Sequence, residues 1–377
     1  MVRKLIQRKR IKIKERNMGI ENRNYCEEAG FAKGIPIISL FSGAGGLDLG
    51  FKQAGFNTVL AVDSNPAACM TFAHNYSECE VVEMDLAAVD PKCILDRLLH
   101  LSPGNHPVGV IGGPPCQAFS LGNVHKKDRD ARSLLPSHYA THLAALRKKF
   151  DIDFFVFENV PGLNTKNHGA VFKELKGLFR KAGFVIQEEV LDAQDFGVPQ
   201  RRQRIFVVGF NRQKHRDVSF SFPSKSHLSP VTVRQVLGGL PDPVYFSRDL
   251  TADSIPFHPN HWCMRPRSVK FLNGHLTRDG NGNKGRPFRV IQWDSVSRTV
   301  AYGHREVHVH PSGKRRLSVY EAMLLQGFPH EYHLLGNLSE QITLVSDAVP
   351  PPVARALAGQ IRESIYARSK DKNEPGK

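Results

Sequence analysis

Cysteine is scarce and never closely paired: Cys26, Cys69, Cys79, Cys93, Cys116 and Cys263 are the only six in 377 residues, and no two of them form C-x-x-C. That spacing excludes a zinc ribbon and a dithiol redox pair, and no metal is called for. In a reducing compartment most such thiols serve as small buried hydrophobes, so a cysteine with a chemical role needs its own argument. Long apolar runs are also missing. No stretch of about 18 apolar residues occurs, which excludes a membrane-spanning helix, and the first residues lack the apolar centre of a secretory signal. The expectation is a cytoplasmic protein with no membrane partner. No internal repeat is found, which excludes a solenoid. Acidic residues are outnumbered, 36 Asp and Glu against 52 Lys and Arg, for a formal charge of +16 and a pI near 9.7. Such an excess favours a polyanionic partner, although ribosomal, membrane-surface and nucleic-acid proteins all share it.

What is present belongs to a soluble globular chain: 41% hydrophobic and 23% charged residues, enough length for one large domain and a smaller companion. Part of the positive charge sits at the start, where Arg3, Lys4, Arg8, Lys9, Arg10, Lys12, Lys14 and Arg16 fall close together. This reads equally as a phosphate-gripping arm or as a solvated, frayed terminus.

From Ile35 onward, short β-branched runs alternate with helical patterns. Strands are expected at Ile35 to Phe41, Asn57 to Asp63, Glu80 to Asp85, Val108 to Ile111 and Asp153 to Phe157. Helices are expected at Leu47 to Ala54 and Pro66 to His74. Such alternation predicts an α/β fold with a doubly wound, mostly parallel sheet. Gly43, Asp63, Asp85, Cys116 and Glu158 each follow a different strand, and the carboxyl ends of strands form the ligand crevice of an open α/β sheet. After Gly209 the chain becomes rich in Pro, Gly, Asn, His, Lys and Arg, which reads as a loop-rich module. Regular pattern returns at Ser318 to Gln326 and from Val353 to Tyr366.

Four constellations carry the chemistry. Phe41-Ser42-Gly43-Ala44-Gly45-Gly46-Leu47-Asp48 is a strand, a glycine turn and a helix start, followed by Asp63 at the end of the next strand. Glycines let backbone approach a ligand, and a carboxylate there can accept from ribose hydroxyls. Asp48 stands where a dinucleotide fingerprint has its third glycine, which disfavours a nicotinamide and suits a nucleoside without pyrophosphate. In Gly112-Gly113-Pro114-Pro115-Cys116, rigid residues present Cys116 at the rim. A lone cysteine is otherwise most often a packing residue, and a thiol needs a lowered pKa to act as a nucleophile. Glu158 of Glu158-Asn159-Val160 could donate a proton to a ring nitrogen, or could simply cap a helix. In Gln200-Arg201-Arg202-Gln203-Arg204, strand periodicity puts Gln200, Arg202 and Arg204 on one face. The pattern suits anion or base recognition, or an exposed basic edge strand.

With these blocks in order, the chain resembles the cytosine-5 DNA methyltransferases of bacterial modification systems. The likeness continues in Arg316 to Glu321, in Leu325-Gln326-Gly327-Phe328-Pro329 and in Asp347-Ala348-Val349-Pro350, so it runs from about residue 35 to 365. It implies a Rossmann-like methyltransferase domain with S-adenosyl-L-methionine as cofactor and duplex DNA as substrate. Position by position, it implies Cys116 as the nucleophile at cytosine C6, Glu158 as the group at N3, and Arg202 and Arg204 as supports of base and nucleophile. Phe41, Gly43, Gly45, Asp63, Asp85 and Asp347 correspond to cofactor contacts, and Gln117, Ser120 and Thr299 to DNA contacts. Two positions depart from the family pattern. Asp347 stands where the family often has asparagine, in Gly-Asn-Ala-Val-Pro, and Ser133 where it often has glycine, in Asp-x-Arg-Gly.

The resemblance also implies boundaries: a basic arm over 1–33, a catalytic and cofactor domain over 34–211, a target-recognition domain over 212–315, a return to the catalytic domain over 316–367 and a tail over 368–377. A basic lid over 121–137 is expected above the flipped base. The expected protein is a monomer that methylates cytosine at C5 in a specific sequence, protecting host DNA alongside a restriction endonuclease of the same specificity. Two rivals are a methyltransferase acting on cytosine in transfer RNA and a DNA-binding regulator without catalysis.

Overall fold

The computed structural model describes residues 34–101, 106–115, 134–165, 168–226, 229–266, 269, 289–299 and 308–371. Eight strands fall between Ile35 and Asn211 among the described residues: β1 (Ile35–Leu40), β2 (Phe56–Asp63), β3 (Glu80–Glu83), β4 (Gly109–Gly112), β5 (Phe154–Asn159), β6 (Phe184–Asp192), β7 (Gln200–Arg201) and β8 (Gln203–Asn211). All but β7 form one sheet in the order β3-β2-β1-β4-β5-β8-β6. The first five of these pair in parallel, and β8 lies antiparallel between β5 and β6. The expected α/β class and mostly parallel sheet are what the chain adopts.

Strand periodicity explains why helices cover both faces. Ile38, Leu40, Val110, Phe155 and Phe157 point to one side, where they pack under α3 (Lys92–Leu99), α4 (Leu135–Lys149) and α5 (Gly169–Lys181). Their neighbours Ile37, Ile111, Phe154 and Val156 point to the other. There they meet α1 (Gly46–Gln53) and the distant α9 (Pro351–Asp371), whose Leu357 and Ile361 are fully buried. The return of the chain after residue 316 therefore completes the sheet's second face.

A third core joins α2 (Pro66–Asn75), α7 (Val319–Leu325) and α8 (Leu338–Asp347) to Val233 and Leu237 of the short helix α6 (Val233–Leu237) and to Trp262 and Ile291. Here the middle module leans on the sheet half and the returning helices. Its strands are two residues each: β9 (Val244–Tyr245), β10 (Trp262–Cys263), β11 (Arg289–Val290), β12 (Ser297–Arg298) and β13 (His308–Val309).

Two differences from the sequence expectation matter. The strand read through Gln200 to Arg204 breaks at Arg202, where its N–H donates to the Asp192 carboxylate and its carbonyl accepts from Ala193 N. β7 then pairs with β12 and not with the main sheet. The expected alternation survives the break: Gln200 and Arg202 are buried while Arg201 and Gln203 are exposed. The strand expected at Glu80 to Asp85 ends at Glu83. Among the described residues no helix is long and apolar enough to cross a membrane.

Candidate active site

A cavity of about 210 Å³ opens at the carboxyl ends of β1, β2, β4 and β5. Its first wall is the turn after β1. Phe41 adopts a left-handed φ of 55°, uncommon for a residue with a side chain, and turns the chain sharply into Ser42 and Gly43. Gly45 has a φ of 75°, and a Cβ there would lie 2.7 Å from the Tyr332 hydroxyl. That hydroxyl donates to the carbonyl of Ala44, and the Tyr76 hydroxyl donates to the carbonyl of Gly45 at 2.8 Å. The two tyrosines hold the turn from behind. Gly45 is thus a packing requirement, whereas Phe41, Gly43, Ala44 and Gly46 line the cavity. The Ser42 hydroxyl, buried at the wall, has no hydrogen-bond partner among the described residues.

Asp63 closes the second wall. Its carboxylate accepts from Gly43 N at 2.8 Å and from Asn65 N at 2.9 Å, which fixes its orientation toward the cavity. Burial pushes this carboxyl above the ordinary range against those bonds. Below it, fully buried Asp48 accepts from the hydroxyls of Ser39 at 3.0 Å and Thr58 at 2.8 Å, and burial raises it to about 6. The position that departs from the dinucleotide fingerprint therefore carries a carboxylate that joins β1, β2 and α1.

The third wall carries the candidate acid. Glu158 lies within β5, one residue before its end, and its carboxylate meets Arg204 Nε at 3.0 Å. Its other oxygen lies so near Gly113 that a Cβ there would approach it to 2.6 Å. Asn159 donates to the carbonyl of Pro114 at 3.2 Å, tying the Gly-Gly-Pro-Pro segment to β5. Burial raises the Glu158 carboxyl above its usual range. Arg204 and Arg202 oppose this, while Asp347 adds to it. A carboxyl whose pKa is raised by burial is better suited to proton donation than a solvent-exposed one.

Arg202, 1% exposed, donates to the carbonyls of Ser346 at 2.6 Å and Ala348 at 3.0 Å, gripping the turn that bears Asp347. Asp347 keeps exposed surface and lines the cavity, and partial burial raises its carboxyl above the ordinary range against the pull of Arg202 and Arg204.

Thr299 lies away from this cavity, where its hydroxyl donates to the carbonyl of Arg201 at 2.8 Å beside the β7–β12 pair. Asp85 is exposed, accepts from Ala87 N at 2.9 Å and does not line the cavity. Cys116, Gln117 and Ser120, with most of the expected lid, lie outside the described residues; Pro115, immediately before them, lines the cavity. Burial holds the thiols of Cys69 at about 11 and Cys263 at about 12, and raises Cys79 further, so none of these three is an activated nucleophile. Sequence reasoning missed Asn65 and Thr343 on the cavity wall, and the supporting Tyr76 and Tyr332. Asn65 was detectable as an N-cap before Pro66; nothing marked the tyrosines, which reach the turn only through folding.

The sequence pattern of the C-5 cytosine-specific DNA methylase family matches residues 35–363. The chain is 33% identical to Type II methyltransferase M.MthTI of Methanothermobacter thermautotrophicus, over 88% of this chain and 98% of that one. It is 31% identical to Type II methyltransferase M.NmeDI of Neisseria meningitidis serogroup C, over 89% and 86%. Among solved structures, a candidate DNA modification methyltransferase encoded within an E. coli prophage superposes with a TM-score of 0.71 at 23% identity, covering 88% of this chain and 99% of the other. The Dnmt2 methyltransferase of S. pombe superposes with a TM-score of 0.60 at 18% identity, covering 88% and 99%. At these identities the structural likeness speaks for the fold.

Proposed function

The chain belongs to the C-5 cytosine-specific DNA methylase family and is a methyltransferase; from that premise we propose that Cys116 attacks C6 of a cytosine flipped out of a specific duplex sequence while Glu158 serves N3. The observation that carries the reading is the position of Glu158. It is a buried carboxyl, raised above its usual range by that burial, paired to Arg204 and set against Gly113 three residues before Cys116, on the wall of the cavity that Asp63 also lines.

The cavity suits S-adenosylmethionine by its donor set. Asp63 offers an oriented acceptor for ribose hydroxyls, Ser42 an unpartnered hydroxyl, and Phe41 and Leu47 apolar surface for a purine. When bound, that cofactor supplies an electrophilic methyl group. The chain's own residues make C5 reactive enough to accept it. The Cys116 thiolate adds to C6, and Glu158 protonates or hydrogen-bonds N3, so electron density from the broken C5–C6 double bond collects at C5. Loss of the C5 proton then expels Cys116 and restores the aromatic ring. Arg204 holds the Glu158 carboxylate in place, and Arg202 holds the turn that carries Asp347. Unstacking the target base costs roughly a few kcal/mol.

In this reading residues 34–211 and 316–367 form the catalytic domain and residues 212–315 the target-recognition domain. Thr299 anchors the end of the latter to the β7 segment, and Gln117 and Ser120 contact DNA near the target. Lysines and arginines of the module grip phosphates while other polar side chains read base edges. The cellular role is protection of host DNA beside an endonuclease of the same specificity.

The test is covalent trapping. Duplex DNA carrying 5-fluorocytosine at the mapped target, with cofactor, is expected to form an adduct through Cys116, because fluorine cannot leave as the C5 proton does. Cys116→Ser should lose turnover by at least about a thousandfold and still bind duplex. Undiminished turnover in that variant, or an adduct on another residue, overturns the assignment.

A further inference from the structure

The cavity is one-sided in charge. Asp48, Asp63, Glu158 and Asp347 line it, and no lysine, arginine or histidine does so among the described residues. Arg202 and Arg204 stand behind Glu158 and Asp347 and offset part of this charge without facing the cavity. Each carboxylate but one has a structural account. Asp48 links β1, α1 and β2 through two hydroxyls, Asp63 orders the Gly43 and Asn65 amides, and Glu158 pairs with Arg204.

Asp347 is the exception. It is the last residue of α8, where unpaired carbonyls make the helix end negative and an acid is unfavourable. The backbone there needs no acid: Arg202 takes the carbonyls on either side, Ser346 and Ala348. Arg202 and Arg204 favour the charged form of Asp347, and Asp63 and Glu158 oppose it. A carboxylate set at an unfavourable helix end, on the wall of a cavity, is placed for what enters that cavity.

We propose that Asp347 makes the cofactor site select ligands by charge at sulfur, favouring the cationic sulfonium of S-adenosylmethionine over the neutral thioether of S-adenosylhomocysteine. The inference rests on the cavity being the cofactor site. It concerns only the chemical difference between the two nucleosides, which share ribose, adenine and amino-acid groups and differ in one methyl and one positive charge. A carboxylate on the wall of the cavity that holds that charge, in surroundings less polar than water, is expected to be worth about a tenfold difference in affinity. The consequence is weaker inhibition by the demethylated product.

Isothermal titration of the full chain without DNA separates the possibilities. In Asp347→Asn the ratio of S-adenosylmethionine to S-adenosylhomocysteine affinity should fall about tenfold, with the melting temperature changed by no more than a few degrees, since the amide keeps the shape of the residue. Asp347→Glu, which keeps the charge, should retain most of the ratio. An unchanged ratio in the asparagine variant, including equal weakening of both nucleosides, overturns the inference and leaves the cofactor site standing. If the wild-type chain binds neither nucleoside, the cofactor reading and this inference fall together.

Discussion

The sheet half and the middle module differ in how far polar contacts add to apolar packing. Around the sheet, Phe154, Phe155, Phe157, Phe206 and Phe210 are fully or nearly fully buried and strands run up to nine residues. The apolar pattern alone directs such packing. In the module, the described strands are two residues long, and polar anchors add to the apolar contacts of Val233, Leu237, Trp262 and Ile291. The Asn260 side chain donates to the carbonyl of Leu334 at 2.7 Å and to Gln341 at 2.9 Å, and its oxygen accepts from Leu334 N at 2.9 Å. Trp262 Nε1 donates to the same Gln341 oxygen at 2.8 Å, and His261 meets Ser318 at 2.9 Å. Directional bonds thus supplement apolar packing in fastening the module to the segment after residue 316. Its surface can therefore vary without cost to the core, while a change at an anchor is felt in both halves.

This contrast can be sharpened or broken experimentally. The largest effect is expected at Glu158, a residue of the sheet half whose loss should spare DNA affinity. Glu158→Gln should lower the rate of methylation by about a hundredfold to ten-thousandfold while the Kd for target duplex, measured by fluorescence anisotropy, shifts only a few-fold. A variant that methylates at the normal rate would remove Glu158 from the chemistry.

Arg315 is the strongest of the module's anchors. Its guanidinium donates two bonds of 2.9 Å to fully buried Glu321 of α7 and one of 3.1 Å to Asp242. Arg315→Ala leaves the Glu321 charge buried without its main partner and should cost about 3–5 kcal/mol in denaturant unfolding. If stability falls by less than about 1 kcal/mol, comparable to a surface pair, the anchor description of the module is wrong.

The smallest effect is one of pH. Burial raises Asp48 to about 6 from 3.8, so the folded chain holds a proton there that the unfolded chain releases. The sign follows: the associated stability is fully present below about pH 3.8 and is lost as pH rises through about 6. A shift of that size corresponds to about 2–3 kcal/mol. Asp48→Asn, which cannot ionise, should match the wild type near pH 4 and be the more stable chain at pH 8. A stability difference that does not change with pH would mean Asp48 keeps its charge state on folding.

Much of the site was legible in the chain. The glycine turn, Asp63 and Glu158 lie at strand ends, and strand ends follow from local patterns of apolar residues and glycine. The shared face of Gln200 and Arg202 was legible too, because period two needs only a strand. Asp85 illustrates the limit: its strand stops two residues earlier, and the acid faces solvent with its own backbone turn. The sequence by itself determined the parallel sheet, the order of the motifs and the family. Only the tertiary structure decided that Arg202 would clamp the turn around Asp347, 144 residues beyond it at Ser346, and that Tyr332 would brace Ala44, 288 residues before it. The physical reason is that periodicity and turn chemistry act over a few residues, whereas a hydrogen bond between distant segments exists only once the cores between them have packed.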